Sequence, residues 1–125
     1  MKMTIVGSMV FLDKYEEAKI KLEEIGHSVI LPEKDPMPEP IPKKRKLESM
    51  NDFNKNLLES DSIIVMNYTK DEKKNHIGAN TLMEIGMAFN REKKIFILNP
   101  IPDFCRHELE AIGCVVLNGD LEKVR

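Results

Sequence analysis

Residues 63–66, Ile63-Ile64-Val65-Met66, form an unbroken apolar run between Ser62 and Asn67. A strand with one wet face alternates apolar and polar residues. A continuous run rich in Ile and Val marks a strand covered on both faces, as in a parallel sheet. Four similar runs lie along the chain, at Met3–Val6, Val29–Leu31, Ile95–Leu98 and Cys114–Leu117. Helical patterns separate them. Phe11, Tyr15, Ala18, Leu22 and Ile25 recur at spacings of three and four, and Gly26 supplies the stop. Leu47, Met50, Phe53 and Leu57 make a second stripe. Leu82, Ile85, Met87, Ala88 and Phe89 make a third, broader one, predicted to be the most buried helix. A short fourth helix is predicted between Asp103 as N-cap and Gly113.

Strand and helix in alternation imply right-handed crossovers and an α/β fold, a three-layer sandwich around a five-stranded parallel sheet. The expected strand order is 2-1-3-4-5, as in flavodoxin-like and Rossmann-like folds. Ligands of such folds sit beyond the carboxyl ends of the strands, where the order reverses, here between strands 1 and 3. That points to Gly7-Ser8, to residues 67–84 and to Asn99-Pro100. The segment Pro32–Pro42 holds five of the seven prolines. It reads as a loop at the mouth of the site, suited to act as a lid.

At 125 residues, 42% apolar and 32% charged, the chain is one soluble globular domain spanning residues 1–125. Its net charge of −2 makes it a poor match for the nucleic-acid backbone. No apolar run approaches the roughly 18 residues of a membrane span, and the N-terminal stretch does not read as a signal peptide. Cys105 and Cys114 lack metal-ligand spacing. They read as reduced thiols of a cytoplasmic protein, with Cys114 in the core. After the first strand the chain carries a single glycine, in Gly7-Ser8-Met9-Val10-Phe11. That excludes the G-x-G-x-x-G of dinucleotide sites, and no Walker loop exists. A phospho-receiver is excluded as well, because Gly7-Ser8 and Asn67 stand where its acidic residues belong.

The most informative segment is His76-Ile77-Gly78-Ala79-Asn80-Thr81-Leu82-Met83-Glu84-Ile85-Gly86. Its glycines and Asn80 allow a tight turn after strand 3. Glu84 is then expected in or near the first turn of a helix whose positive end faces the site and favours an ionised carboxyl. A fixed carboxylate beside a sugar can attack an anomeric carbon. Thr81-x-x-Glu84 equally fits a capping box, with Glu84 folded back onto the backbone.

In order and spacing, these features resemble the nucleoside 2-deoxyribosyltransferase family, which includes relatives that hydrolyse deoxynucleoside 5′-monophosphates. The matching residues are Gly7-Ser8, Gly26-His27-x-Val29, Asp61-x-Ile63-Ile64-Val65, Glu84-Ile85-Gly86-x-Ala88 and Lys93-Lys94-Ile95. The likeness spans residues 2 to 98. It implies that Glu84 is a catalytic nucleophile that cleaves or transfers the N-glycosidic bond of a nucleoside or nucleotide. It also implies a homodimer or larger oligomer, with no metal or redox cofactor. Gly78 and Asn80 stand where family members usually carry Asp and Gly. Gly78 favours the alternative of a nucleotide-binding module without turnover.

A departing base needs a second acidic group. Asp61 directly precedes strand 3 and so lies at the amino edge of the sheet. Asp52 lies nine residues earlier, about 13 Å back along the second helix and toward the carboxyl edge. It is the preferred second acid, with a solvated helix residue as the plain alternative. Gly7 and Ser8 are expected to hold the sugar or its 5′ end, or else to form an ordinary turn. Asn67, Gly78 and Asn80 are expected to shape the pocket, although Asn67 could simply end its strand. Lys43-Lys44-Arg45-Lys46 opens the second helix and opposes its dipole unless an anion binds there. His76, and an apolar slot made of Met66, Met83 and Met87, are further candidates. Tyr15 reads as structural.

Overall fold

The computed structural model describes residues 1–33 and 39–125. The strands are β1 (Lys2–Val6), β2 (Ser28–Ile30), β3 (Ser62–Val65), β4 (Lys94–Ile97) and β5 (Val115–Val116). The α-helices between them are α1 (Leu12–Glu24), α2 (Lys43–Glu59), α3 (Ala79–Asn90) and α4 (Arg106–Ala111). All neighbouring strands pair in parallel, in the order β2-β1-β3-β4-β5. This is the expected α/β sandwich. The first four strands start one residue before their apolar runs, because the backbone ladder also takes in Lys2, Ser28, Ser62 and Lys94. The segment Pro32–Pro42, expected as a lid, falls partly outside the described residues.

The order reverses once. β1 leads to β2 in one direction, and every later crossover runs the other way. Right-handed crossovers therefore put α1 on one face and α2, α3 and α4 on the other. Alternate side chains along each strand serve the two faces. Tyr15, Ala18 and Leu22 of α1 pack on Met3, Ile5, Ile64, Met66 and Phe96. Phe53 and Leu57 of α2, Ile85 and Ala88 of α3 and Leu109 of α4 pack on Val6, Ile63, Val65, Ile95 and Ile97. Each such aliphatic side chain contributes roughly 1.5–3 kcal/mol by leaving water.

As expected, α3 buries the largest share of its residues among the α-helices, through Thr81, Ile85 and Ala88, while Phe89 of its stripe faces outward. A helix lying on one face of a sheet hides only one stripe. Two expectations change. α4 begins at Arg106, after a 3-10 turn over Asp103–Cys105. Asp103 accepts a hydrogen bond from the Arg106 guanidinium at 2.8 Å rather than capping backbone. The fully buried thiol is Cys105, and Cys114 is only half-buried at the edge of the core. Among the described residues no helix is long and apolar enough to cross a membrane.

The exit from β1 sets the rim of the site. Gly7 has φ +155°, and a Cβ there would lie 2.4 Å from Tyr15 Oη and 3.1 Å from the Met66 carbonyl oxygen. Tyr15 is fully buried, and its hydroxyl donates to the Ser8 carbonyl at 2.7 Å. The glycine lets the chain turn tightly enough for that bond to form. Gly7→Ala is expected to lose about 2–3 kcal/mol of stability, from overpacking and an unsuitable φ together, read from urea denaturation midpoints. A loss under 0.5 kcal/mol would show that the Tyr15 clamp is not tight.

Candidate active site

A cavity of about 560 Å³ opens beyond the carboxyl end of β1. Strand residues Thr4 and Val6 and the turn Gly7-Ser8 form part of its lining. α2 and α3 contribute side chains from the same face of the sheet. Thr4 lies on that face and is tied to the end of α2. The single Ser60 hydroxyl proton goes to the Asn56 carbonyl at 2.7 Å, so Thr4 Oγ1 donates to Ser60 Oγ at 2.7 Å.

Glu84 lines this cavity. α3 starts at Ala79 with Gly78 as its N-cap, so Glu84 is the sixth helical residue, in the second turn. That placement removes the capping-box reading. Thr81 lies inside the helix and is buried, and no side chain caps the helix start. It also weakens the dipole argument, because the helix field acts mainly within the first turn. Burial dominates instead and pushes the Glu84 carboxyl up to about 7, while the Lys46 ammonium pulls it down. The expected bias toward the ionised form gives way to a bias toward the protonated one, because burial outweighs the Lys46 charge.

The other expected residues divide. Asp52 lines the cavity from α2 while remaining exposed. Asp61 sits at the amino edge, where its carboxylate accepts from the Lys2 backbone N–H at 2.8 Å. Gly7, Ser8, Gly78 and Asn80 all line the cavity. Asn80 Oδ1 accepts from Lys46 Nζ at 2.7 Å, which holds that ammonium at the wall. Gly78 presents no side chain, and a Cβ there would stand 3.4 Å from His76 Nε2. His76 is itself part of the lining.

Asn67 is a correction. It is 1% exposed and is not among the lining residues. Its amide donates to the carbonyls of Asn99 at 3.0 Å and Pro100 at 3.2 Å, and its Oδ1 accepts from the Asn99 N–H at 2.9 Å. Asn99 Nδ2 returns a bond to the Asn67 carbonyl at 3.2 Å. The side chain joins the ends of β3 and β4 and leaves little for a ligand. The methionine slot is also absent. Met66 is in the α1-side core, Met87 packs at the edge of the other core, and Met83 faces outward.

Two contributors fall within the stretches 67–84 and 32–42 chosen from sequence without being singled out as site residues. Lys70 lines the cavity and donates to Ser8 Oγ at 3.2 Å. It is placed by a tight hairpin in which Lys70 and Lys73 exchange backbone bonds of 3.1 and 2.8 Å. Asp71 and Glu72 between them both have positive φ, 48° and 66°, as a type I′ turn requires. No Asn-Gly pair announces that turn. Glu33, from the proline-rich stretch, also lines the cavity and pairs with Arg45 of the cationic run. Lys43 and Lys44 of that run are exposed.

No family model and no curated protein sequence matches the chain. Two solved structures share its fold. A conserved protein from Enterococcus faecalis V583 superposes with a TM-score of 0.59 at 17% identity, over 90% of this chain and 74% of that one. The CMP N-glycosidase BcmB of Clostridium botulinum superposes with a TM-score of 0.57 at 18% identity, over 98% of this chain and 93% of that one. At such identities the likeness establishes the common architecture.

Two outcomes follow from the geometry. Asn67→Ala is expected to cost about 1–3 kcal/mol in stability, because it removes three side-chain bonds to the part-buried backbone of Asn99 and Pro100. Loss of ligand affinity with stability unchanged would instead make Asn67 a binding residue. Glu84 holds its proton more tightly in the fold than in the unfolded chain, where it titrates near 4.5. Its contribution to stability is complete below that value and is lost as pH rises through about 7. Glu84→Gln is therefore expected to stabilise the protein at pH 8 by about 2 kcal/mol, discounted for partial solvent access, and to be near neutral at pH 4. Equal effects at both pH values would contradict the buried-carboxyl account.

Proposed function

We propose that the chain cleaves or transfers the N-glycosidic bond of a nucleotide, with Glu84 as the nucleophile. The observation that carries this reading is Glu84 lining a cavity of about 560 Å³, roomy enough for a nucleotide, at the point where the strand order reverses. The shared fold with a CMP N-glycosidase agrees with it.

In the first step a Glu84 carboxylate oxygen bonds to C1′ as the C1′–N bond breaks through an oxocarbenium-like transition state. The leaving base takes its proton from the Asp52 carboxyl, which becomes the carboxylate. In the second step water, or another base, attacks C1′ and frees the carboxylate, and Asp52 accepts the proton that water gives up. Two displacements retain the configuration at C1′. Ser8 and Lys70 hold the 5′ end, where the Lys70 ammonium pairs with a phosphate oxygen. Lys46 steadies the ionised form of Glu84. Gly78 and Asn80 border the sugar. Exposed Leu47, Leu58, Met83 and Phe89 on α2 and α3 accord with a homodimer or larger assembly.

Chromatography for free base, after incubation with nucleosides and their 5′-monophosphates, tests the reading. Base release is expected from the unaltered chain and is expected to fall at least 1,000-fold in Glu84→Gln, with nucleotide binding retained. Binding without turnover of any substrate would favour the non-catalytic nucleotide-binding module. The nucleophile must be ionised, so kcat/KM is expected to rise as the pH is raised toward about 7. Lys70→Ala is expected to weaken 5′-monophosphates about tenfold or more and to leave unphosphorylated nucleosides nearly unchanged. Equal losses for both would remove Lys70 from the phosphate.

A further inference from the structure

Asn80 and Glu84 lie four residues apart on α3, one helical turn, so their side chains emerge on the same face. Side chains on a helix lean toward its N-terminus, which tips the Glu84 carboxyl back over the turn that carries Asn80. Asn80 Oδ1 accepts from Lys46 Nζ at 2.7 Å. The ammonium is therefore held by a side chain whose Cβ lies about 5–6 Å from that of Glu84. All three residues line the same cavity, and Lys46 and Glu84 are both half-buried.

Nothing in α2 itself keeps Lys46 there. It is the fourth residue of that helix, and its backbone N–H makes the first helical bond, to the Pro42 carbonyl at 3.0 Å. A cation in that turn meets the positive end of the helix dipole. Fixing a long lysine stem also costs rotamer freedom. Both effects favour an ammonium that swings out into water, and the Asn80 carbonyl opposes them from the neighbouring helix. The preceding cations cannot take its place, since Lys43 and Lys44 are exposed and Arg45 is engaged with Glu33.

Several charged or titratable groups share the cavity with Glu84. They are Lys46 and Asp52 from α2, Glu33 and Glu39 from the segment between β2 and α2, and Lys70 and His76 from the segment between β3 and α3. Among these, the Lys46 charge is the one that bears on Glu84, against a burial that favours the protonated acid.

We propose that Asn80 is a positioning residue of this site, holding the Lys46 ammonium beside Glu84 so that the buried carboxyl can ionise. What the ionised group then does rests on the glycosidase reading, whereas the electrostatic device does not. Without the tie Lys46 spends more of its time in solvent, and Glu84 keeps its proton to a higher pH.

The test is a double-mutant cycle with two readouts. One is the titration of the Glu84 carboxyl, followed by carbon-13 NMR on the full chain without substrate. The other is the pH dependence of kcat/KM on its rising side. Asn80→Ala is expected to move both upward by about 0.5–1 pH unit, and Lys46→Met, which keeps the stem but not the charge, by about 1–2 units. Asn80→Gln keeps the carbonyl and is expected to recover at least half of the alanine shift. In the Lys46→Met background Asn80→Ala is expected to add less than about 0.3 unit, because the group through which it acts is gone. A full additional shift in that background would overturn the assignment. So would an unchanged Glu84 titration in Asn80→Ala, or a fall in kcat/KM without movement along the pH axis, which would make Asn80 a substrate contact instead. The titration needs no substrate. The expected shifts in a chain that releases no base would therefore overturn the glycosidase reading and leave Asn80 as the residue that positions Lys46.

Discussion

Burial of one carboxyl group beyond the end of β1 governs the rest of this site. Water loss raises the proton affinity of Glu84, and the nearby Lys46 ammonium offsets only part of that rise. A carboxyl left in that balance is a stronger nucleophile, when ionised, than one well solvated. It is also a source of instability that the fold has to carry. Lys46 matters through its position, and that position depends on Asn80, which accepts its hydrogen bond from the neighbouring helix. The electrostatics of the pocket are therefore a property of α2 and α3 held side by side on one face of the sheet.

The rim that holds these groups is built from backbone ties. Tyr15 reaches from α1 to the Ser8 carbonyl through the space a side chain at position 7 would occupy. Asn67 and Asn99 bind the ends of β3 and β4 to one another. Thr4 and Ser60 fasten β1 to the end of α2. Each tie removes freedom from a strand end that borders the cavity. Groups on such rigid elements keep their geometry, whereas the hairpin that carries Lys70 sits on the outer side, with two residues at positive φ.

Much of the layered architecture was legible because it depends on hydrophobic burial, which leaves a local mark. The run Ile63-Ile64-Val65-Met66 has no polar break, so both faces of that strand had to be covered. Parallel strands then forced helical crossovers of one hand. Glu84 was legible by its motif and its place before Gly86. Its protonation was not, because the helix start at Ala79 moved it to the second turn and the surrounding protein removed water from it. Asn67 looked available at a strand end, yet its partners Asn99 and Pro100 are more than thirty residues away in sequence. Local pattern carries no signal for such a bond.

The sequence by itself determined the layers, the reversal between β1 and β3, and the glutamate that faces it, because period and turn chemistry act over a few residues. Tertiary structure alone decided which polar groups meet. Lys70 with Ser8, Lys46 with Asn80, and Glu33 with Arg45 join separate elements. Electrostatic and hydrogen-bond partners are chosen by distance in space, and that distance exists only once the sheet has brought its strand ends together.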